Sequence, residues 1–93
     1  MLPKTIDKNE FSFKRLEADP YIYEVSFAGR IYYEVFERKA VFICLDFQNK
    51  IFSDTETKDV YPKDEDFGKW AWTYYDINKA YDKRQNLIDS STN

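Results

Sequence analysis

Apolar and polar side chains alternate through most of the first half of the chain. Apolar residues at every second position are typical of a strand with one buried face. The spacing predicts strands over residues 11–17, 21–27 and 31–35. A run without charge at 40–45 predicts a further strand that is central in the sheet or covered on both sides, with a short extension at 51–52.

The clearest pair of strands flanks a turn at residues 28–30, whose glycine tolerates positive φ. A three-residue loop there would place Val25 opposite Ile31 and Tyr23 opposite Tyr33. This register also keeps the glutamates of the two strands from facing each other, where like charges repel. We therefore predict a hairpin with that register.

An aromatic stretch at residues 67–76 (FGKWAWTYYD) predicts the last strand. Alternation along it would place Trp70, Trp72 and Tyr74 on one face. Two uses of that face are open. It forms the core beneath a helix, which we favour, or it is an exposed platform on which bases or partner side chains stack.

The apolar spacing becomes helical after Asp76, a residue suited to cap a helix N-terminus. One helical stripe is formed by Ile77, Ala80, Tyr81, Arg84, Leu87 and Ile88. The predicted fold class is therefore α+β: a four- or five-stranded antiparallel meander, followed by one C-terminal amphipathic helix packed on one face. A chain of 93 residues makes a single domain, with residues 1–9 and 90–93 expected to be flexible.

Aromatic residues make up 19% of the chain, more than one helix on a two-faced sheet is expected to cover. An aromatic patch is therefore expected at the surface, and such patches commonly mark interfaces. The candidate partner-binding aromatics are Tyr32, Tyr61 and Tyr75.

Residues 54–66 are predicted to form an acidic surface loop and a second candidate partner-binding surface. Its acids are Asp54, Glu56, Asp59, Asp64, Glu65 and Asp66. The segment has the length of an EF-hand loop, but Lys58 occupies a ligand position and Asp59 replaces the required glycine. We therefore predict no calcium site.

Absent residue types exclude several chemistries. The chain contains no histidine, which removes Ser-His-Asp and Cys-His catalysis and histidine-ligated metals. The single cysteine, Cys44, cannot form a thiolate zinc site, and its apolar neighbours predict a buried thiol. Glu24 and Glu34, on neighbouring strands, are the pair considered for acid–base work, although exposed glutamates are ordinary on a sheet. We predict no enzyme activity, metal or cofactor.

A cytoplasmic location is expected. Secreted domains of this size normally carry paired cysteines, and the first residues lack the apolar stretch of a signal peptide. The run at 40–45 is far shorter than the ~20 apolar residues that span a bilayer.

Residues 60–73 (VYPKDEDFGKWAWT), followed by the amphipathic helix, resemble the C-terminal part of small uncharacterised proteins carried by phages and mobile elements of Bacteroides-like bacteria. The resemblance implies a bacterial cytosolic setting and an accessory role in phage or host biology. It assigns no functional residue.

The expected function is that of a small non-enzymatic protein-binding module whose partner is another protein, such as a bacterial host protein that it inhibits, or a second copy of itself. The alternative is a binder of single-stranded nucleic acid that uses sheet aromatics with Arg15, Arg30, Arg38 and Lys39. A net charge of −3 disfavours duplex DNA.

Overall fold

The computed structural model describes residues 1–91, which form a five-stranded sheet, a two-stranded sheet and a helix. The strands are β1 (Thr5–Lys8), β2 (Phe11–Glu17), β3 (Tyr21–Phe27), β4 (Arg30–Phe36), β5 (Ala40–Asp46), β6 (Ile51–Asp59) and β7 (Ala71–Tyr74), and the helix α1 is Ile77–Ser91. The larger sheet has the order β1-β2-β3-β4-β7 and is antiparallel throughout. The predicted α+β class, a meander followed by a C-terminal helix, is confirmed.

The β3–β4 hairpin turns through two residues instead of three. Ala28 and Gly29 have φ values of 51° and 77°, which is the positive pair that a type I′ turn requires. The predicted register is therefore wrong by one residue, and Tyr23 pairs with Glu34 instead of Tyr33. Because side chains alternate, this shift moves every β4 residue to the face opposite the predicted one.

The helix covers one face of the sheet. Ile22 from β3, Val35 from β4 and Ala80 from α1 are fully buried against one another. The helix begins where predicted, since Asp76 Oδ1 accepts a 2.8 Å hydrogen bond from the Asn78 amide. The predicted cap is confirmed.

Arg84 connects the helix to the turn between β2 and β3. Its Nε donates to the Pro20 carbonyl at 2.9 Å, and a terminal nitrogen donates to the Ala18 carbonyl at 3.2 Å. The helix continues through Ser91, so it includes part of the tail expected to be flexible, whereas residues 92–93 lie outside the described residues.

An aromatic core fills the opposite face, which the sequence analysis had left uncovered. Tyr21, Tyr23, Phe36 and Ala71 are buried there beneath Tyr61, Phe67 and Trp70 from the segment between β6 and β7. Trp72 pairs with Val35 and so lies on the helix face, where Lys83 Nζ is 3.9 Å from its ring centroid. The prediction that Trp70 and Trp72 share a face is wrong, because the strand starts only at Ala71.

The N-terminal residues, expected to be flexible, contain a strand that the sequence analysis did not predict. β1 pairs with β2, and Ile6 is its only aliphatic residue, so the alternating pattern is too weak to notice. Tyr23 donates its hydroxyl hydrogen to the Pro3 carbonyl, and the Leu2 amide donates to the Tyr21 hydroxyl. The segment therefore closes one end of the aromatic core.

β5 and β6 form a hairpin of their own. Within residues 1–91 they pair with each other and with no strand of the larger sheet, so the prediction that residues 40–45 form a central strand is wrong. The loop predicted over 54–66 is also wrong in its first part, since β6 continues through Asp59. The remainder contains a single turn of 3₁₀ helix, Asp64–Asp66.

Candidate functional site

The β5–β6 hairpin carries the largest group of exposed apolar side chains on the described chain. Leu45 is 64% exposed and Phe47 at the tip is 87% exposed. The full group is Val41, Phe42, Leu45, Phe47, Ile51 and Phe52. Monomeric soluble domains rarely display so many large apolar residues together, and such patches mark interaction sites. The sequence analysis missed these residues because it placed them in the core.

The two edges of the hairpin differ in chemistry. β5 has no charged residue from Ala40 to Leu45, whereas β6 exposes Asp54, Glu56 and Lys58. β6 also bulges: Phe42 pairs with Thr57 and Cys44 with Phe52, so residues 53–56 lie outside the regular ladder. The Ser53 hydroxyl holds this bulge by accepting hydrogen bonds from the amides of Thr55 and Glu56.

The tip of the hairpin is ordered by Asp46. Its Oδ1 accepts hydrogen bonds from the Gln48 and Asn49 amides, and its Oδ2 accepts one from Asn49 Nδ2 at 2.8 Å. The bonds from Asn49 hold the pKa of Asp46 below its ordinary value. This turn places Phe47 in solvent at the end of the hairpin.

Asp59 fixes the base of the hairpin to the main sheet. Its side chain is only 3% exposed, and it accepts hydrogen bonds from the Tyr21 hydroxyl and from Arg38 Nε, the latter at 3.0 Å. The N-terminal ammonium of Met1 lies 3.6 Å away. Burial raises the pKa of Asp59, but the bonds from Tyr21 and Arg38 outweigh it, and the pKa lies below its ordinary value.

Cys44 lies in the middle of β5 and is exposed, so the prediction of a buried thiol is wrong. The same misplacement of β5 explains this error. Cys44 lies opposite Phe52, within the apolar surface of the hairpin.

A groove of about 680 Å³ crosses the aromatic face of the larger sheet, bounded by the segment after β6. Its lining includes aromatic rings and two carboxylates: Phe11, Phe13, Tyr32, Tyr61, Phe67, Glu34 and Asp64. Tyr61 is half-buried, with its ring centroid 5.5 Å from that of Phe13 and its hydroxyl donating to Glu34 Oε1. The groove is a concave surface that contains no residue of the hairpin.

Glu34 is a carboxylate placed where ionisation is costly. Burial raises its pKa, the hydrogen bond from Tyr61 lowers it, the charge of Asp64 raises it, and the net direction is upward. Burial and the charge of Glu34 raise the pKa of Tyr61 in turn, so Tyr61 stays a hydrogen-bond donor.

Replacing Glu34 with glutamine is therefore expected to raise the free energy of unfolding at pH 7, because the amide keeps an acceptor for Tyr61 and carries no charge. Because the pKa of Glu34 is higher in the folded chain, its ionisation lowers the free energy of unfolding of the wild-type protein. This loss develops as the pH rises from the unfolded pKa of about 4.3 through the folded pKa. Urea midpoints of the two proteins should differ at pH 7 and converge below about pH 4. Glu65→Gln at an exposed position is the control; an unchanged or lower midpoint for Glu34→Gln at pH 7 would contradict the expectation.

The predicted partner-binding residues do not form one site. Tyr32 and exposed Tyr75 contact each other, with ring centroids 6.2 Å apart. Asp64 and half-buried Tyr61 line the groove. The other acids divide between β6, where Asp54 and Glu56 are exposed and Asp59 is enclosed, and the 3₁₀ turn, which holds Glu65 and Asp66.

Three of the four cations of the nucleic-acid alternative contact groups of their own chain. Arg15 donates to the Leu2 carbonyl, Arg38 binds Asp59, and Lys39 Nζ lies 5.2 Å from the Trp70 ring centroid. Arg30 is exposed at the start of β4, beside the hairpin turn.

The two candidate catalytic carboxylates are on opposite faces of the sheet. Glu24 is opposite Tyr33, on the side that the helix covers, whereas Glu34 faces the groove. No group of three or more metal-ligating side chains occurs among residues 1–91.

Comparison of the chain with protein-family models, with curated proteins and with solved structures finds no match. Across the described part of the chain, no helix has both the length and the apolar character needed to cross a membrane. The geometry of the hairpin and groove is therefore the basis for assigning a function.

Proposed function

We propose that this chain is a small non-enzymatic protein-binding module and that the β5–β6 hairpin is its binding element. The observation that carries the proposal is the hairpin's exposed apolar surface, which includes Phe42, Leu45, Phe47 and Phe52. The larger sheet completes its core without these residues, using the helix on one face and the segment after β6 on the other.

Physical chemistry favours a covered hairpin. An isolated two-stranded hairpin is at best marginally stable in water, whereas three or more strands with an apolar face are stable. Covering one Phe, Leu or Ile side chain contributes about 1.5–3 kcal/mol. A partner over this surface would therefore stabilise both the complex and the hairpin. The absence of histidine and the separation of Glu24 from Glu34 support a role in binding over catalysis.

The first candidate partner is a second copy of the chain. The resemblance of residues 60–73 to phage and mobile-element proteins makes a bacterial host protein the other candidate. Both would use the same hairpin surface.

The proposal is tested by sedimentation of the protein carrying a fluorophore at its C-terminus, alone over a concentration series and in bacterial lysate. Wild type is expected to sediment as a complex. The Phe42→Ser/Phe52→Ser protein should associate at least about a hundredfold more weakly, since two aromatic contacts are lost. Ile31→Ser/Tyr75→Ser removes exposed apolar residues outside the hairpin and should behave as wild type.

Two results would contradict the proposal. One is a wild-type protein that sediments as an isolated chain in both settings. The other is a Phe42→Ser/Phe52→Ser protein that is folded by circular dichroism and associates as wild type does.

A further inference from the structure

The hairpin has one protected edge and one unprotected edge. Natural sheets protect open edges with charged side chains and bulges, which prevent pairing with other strands. β6 has both, in Asp54, Glu56 and Lys58 and in the bulge at residues 53–56. β5 has an irregular register between Cys44 and Asp46, but it has no charge from Ala40 to Leu45 and no strand on its outer side among the described residues.

We propose that the β5 edge pairs antiparallel with β5 of a second copy of this chain, around a two-fold axis at Ile43. This inference rests on the proposed function and names the partner of the same surface. The product is a four-stranded sheet with the order β6-β5-β5-β6, in which both unprotected edges are removed and both charged strands lie outermost.

The β5 sequence is complementary to itself in this register. Around the axis at Ile43, Val41 lies opposite the partner's Leu45, and Phe42 lies opposite the partner's Cys44. Ala40 lies opposite the partner's Asp46, which is the only charge in the strand. No like charges face each other, and like charges directly opposite are what destabilises a strand pair.

Apolar surface also matches across the seam. Phe52 is paired with Cys44 within each chain, and Phe42 would face the partner's Cys44. The aromatic residues of both hairpins therefore form one continuous apolar strip, which supplies the face that a stable sheet of three or more strands requires.

Light scattering of wild-type protein over a concentration series should give twice the mass of one chain. Ile43→Lys places two ammonium groups across the axis and should raise the dissociation constant by about a hundredfold or more, because like charges in an interface cost several kcal/mol. Thr57→Lys adds the same charge to the protected edge and should remain a dimer. A monomeric wild type, or a folded Ile43→Lys protein with unchanged affinity, would overturn the inference.

Cross-linking tests the register without relying on the folding of the lysine variant. In a Cys44→Ser background, the Ile43→Cys protein should be joined to its copy by a short bifunctional maleimide. The Leu45→Cys protein should not be joined, since its two copies of position 45 lie four residues apart along the strand, or about 13 Å.

The failures of the two proposals are distinguishable. In one outcome, Phe42→Ser/Phe52→Ser dissociates the dimer, but the dimer cross-links at position 45 and not at position 43. That outcome overturns the β5 pairing and leaves the hairpin as the binding element. A wild type that is monomeric alone yet sediments as a hairpin-dependent complex in lysate overturns the second copy as the occupant and leaves the proposed function standing.

Discussion

Replacing Phe36 with alanine is expected to lower the free energy of unfolding by about 3–5 kcal/mol, as full truncation of a buried phenylalanine does. Phe36 is fully buried at the end of β4, with its ring centroid 5.2 Å from that of Tyr21 and 5.8 Å from that of Tyr23. It also makes edge-to-face contacts with Tyr61 and Trp70, whose ring centroids lie 4.8 and 6.2 Å away. Small domains have about 5 kcal/mol or a little more in total, so this loss removes most of the stability of the fold.

The measurement is urea unfolding followed by circular dichroism. Phe47→Ala is the matched control, since it removes the same atoms from a side chain that is 87% exposed, and it should leave the midpoint unchanged. Equal midpoints for Phe36→Ala and wild type would mean that the aromatic core does not hold the sheet to the segment after β6.

The same substitution should also affect the groove. Tyr61 contacts Phe36 on one side and bonds to Glu34 on the other, so a cavity at position 36 removes the support that holds Tyr61 over the sheet. Packing and groove geometry are thus coupled through one side chain.

Short-range patterns predicted the elements that depend on neighbouring residues. The alternation from Tyr21 to Phe27 predicted β3 with its observed bounds, and Asp76 predicted where the helix begins. Both signals are local, because a strand face or an N-terminal cap is specified by residues within a few positions.

Register and face depended on details that the pattern does not contain. Ala28 adopts positive φ, which shortens the turn to two residues, and positive φ is uncommon for alanine. Trp70 lies before the strand that its alternation with Trp72 had suggested, in a turn where Gly68 has a φ of 92°. Each error arose from a backbone conformation that the types of the neighbouring residues do not predict.

The hairpin could not be identified from the sequence for a different reason. A strand such as β5, apolar on both faces, must be covered, and the pattern does not say whether its own chain or another covers it. The sequence analysis assigned it to the core, and the structure places it outside. The candidate site therefore lies in the segment whose sequence most resembled a core strand. The acidic segment, which was chosen for its charge, instead forms the charged edge of the hairpin and its structural anchor to the main sheet.

The second large effect on stability is expected from removing this structural anchor. Asp59→Ala is expected to lower the free energy of unfolding by about 1–3 kcal/mol at pH 7, the usual cost of leaving a buried polar group without its partner. The Tyr21 hydroxyl, in a side chain 1% exposed, would lose its acceptor. Arg38 is half exposed and can be rehydrated, so its loss adds little. Asp54→Ala, at an exposed position on the same strand, should leave the midpoint unchanged.

The effect should depend on pH in a defined direction. Because the pKa of Asp59 is lower in the folded chain than its unfolded value of about 3.9, its contribution is present above that value and is lost as the pH falls through the folded value. Urea midpoints of wild type and Asp59→Ala, measured from pH 7 down to about pH 3, should therefore approach each other only at the acidic end. A difference that stayed constant over this range would mean that Asp59 acts by packing alone. A difference that grew toward acid would contradict the lowered pKa, and with it the assignment of Asp59 as the charged anchor that joins the binding hairpin to the sheet.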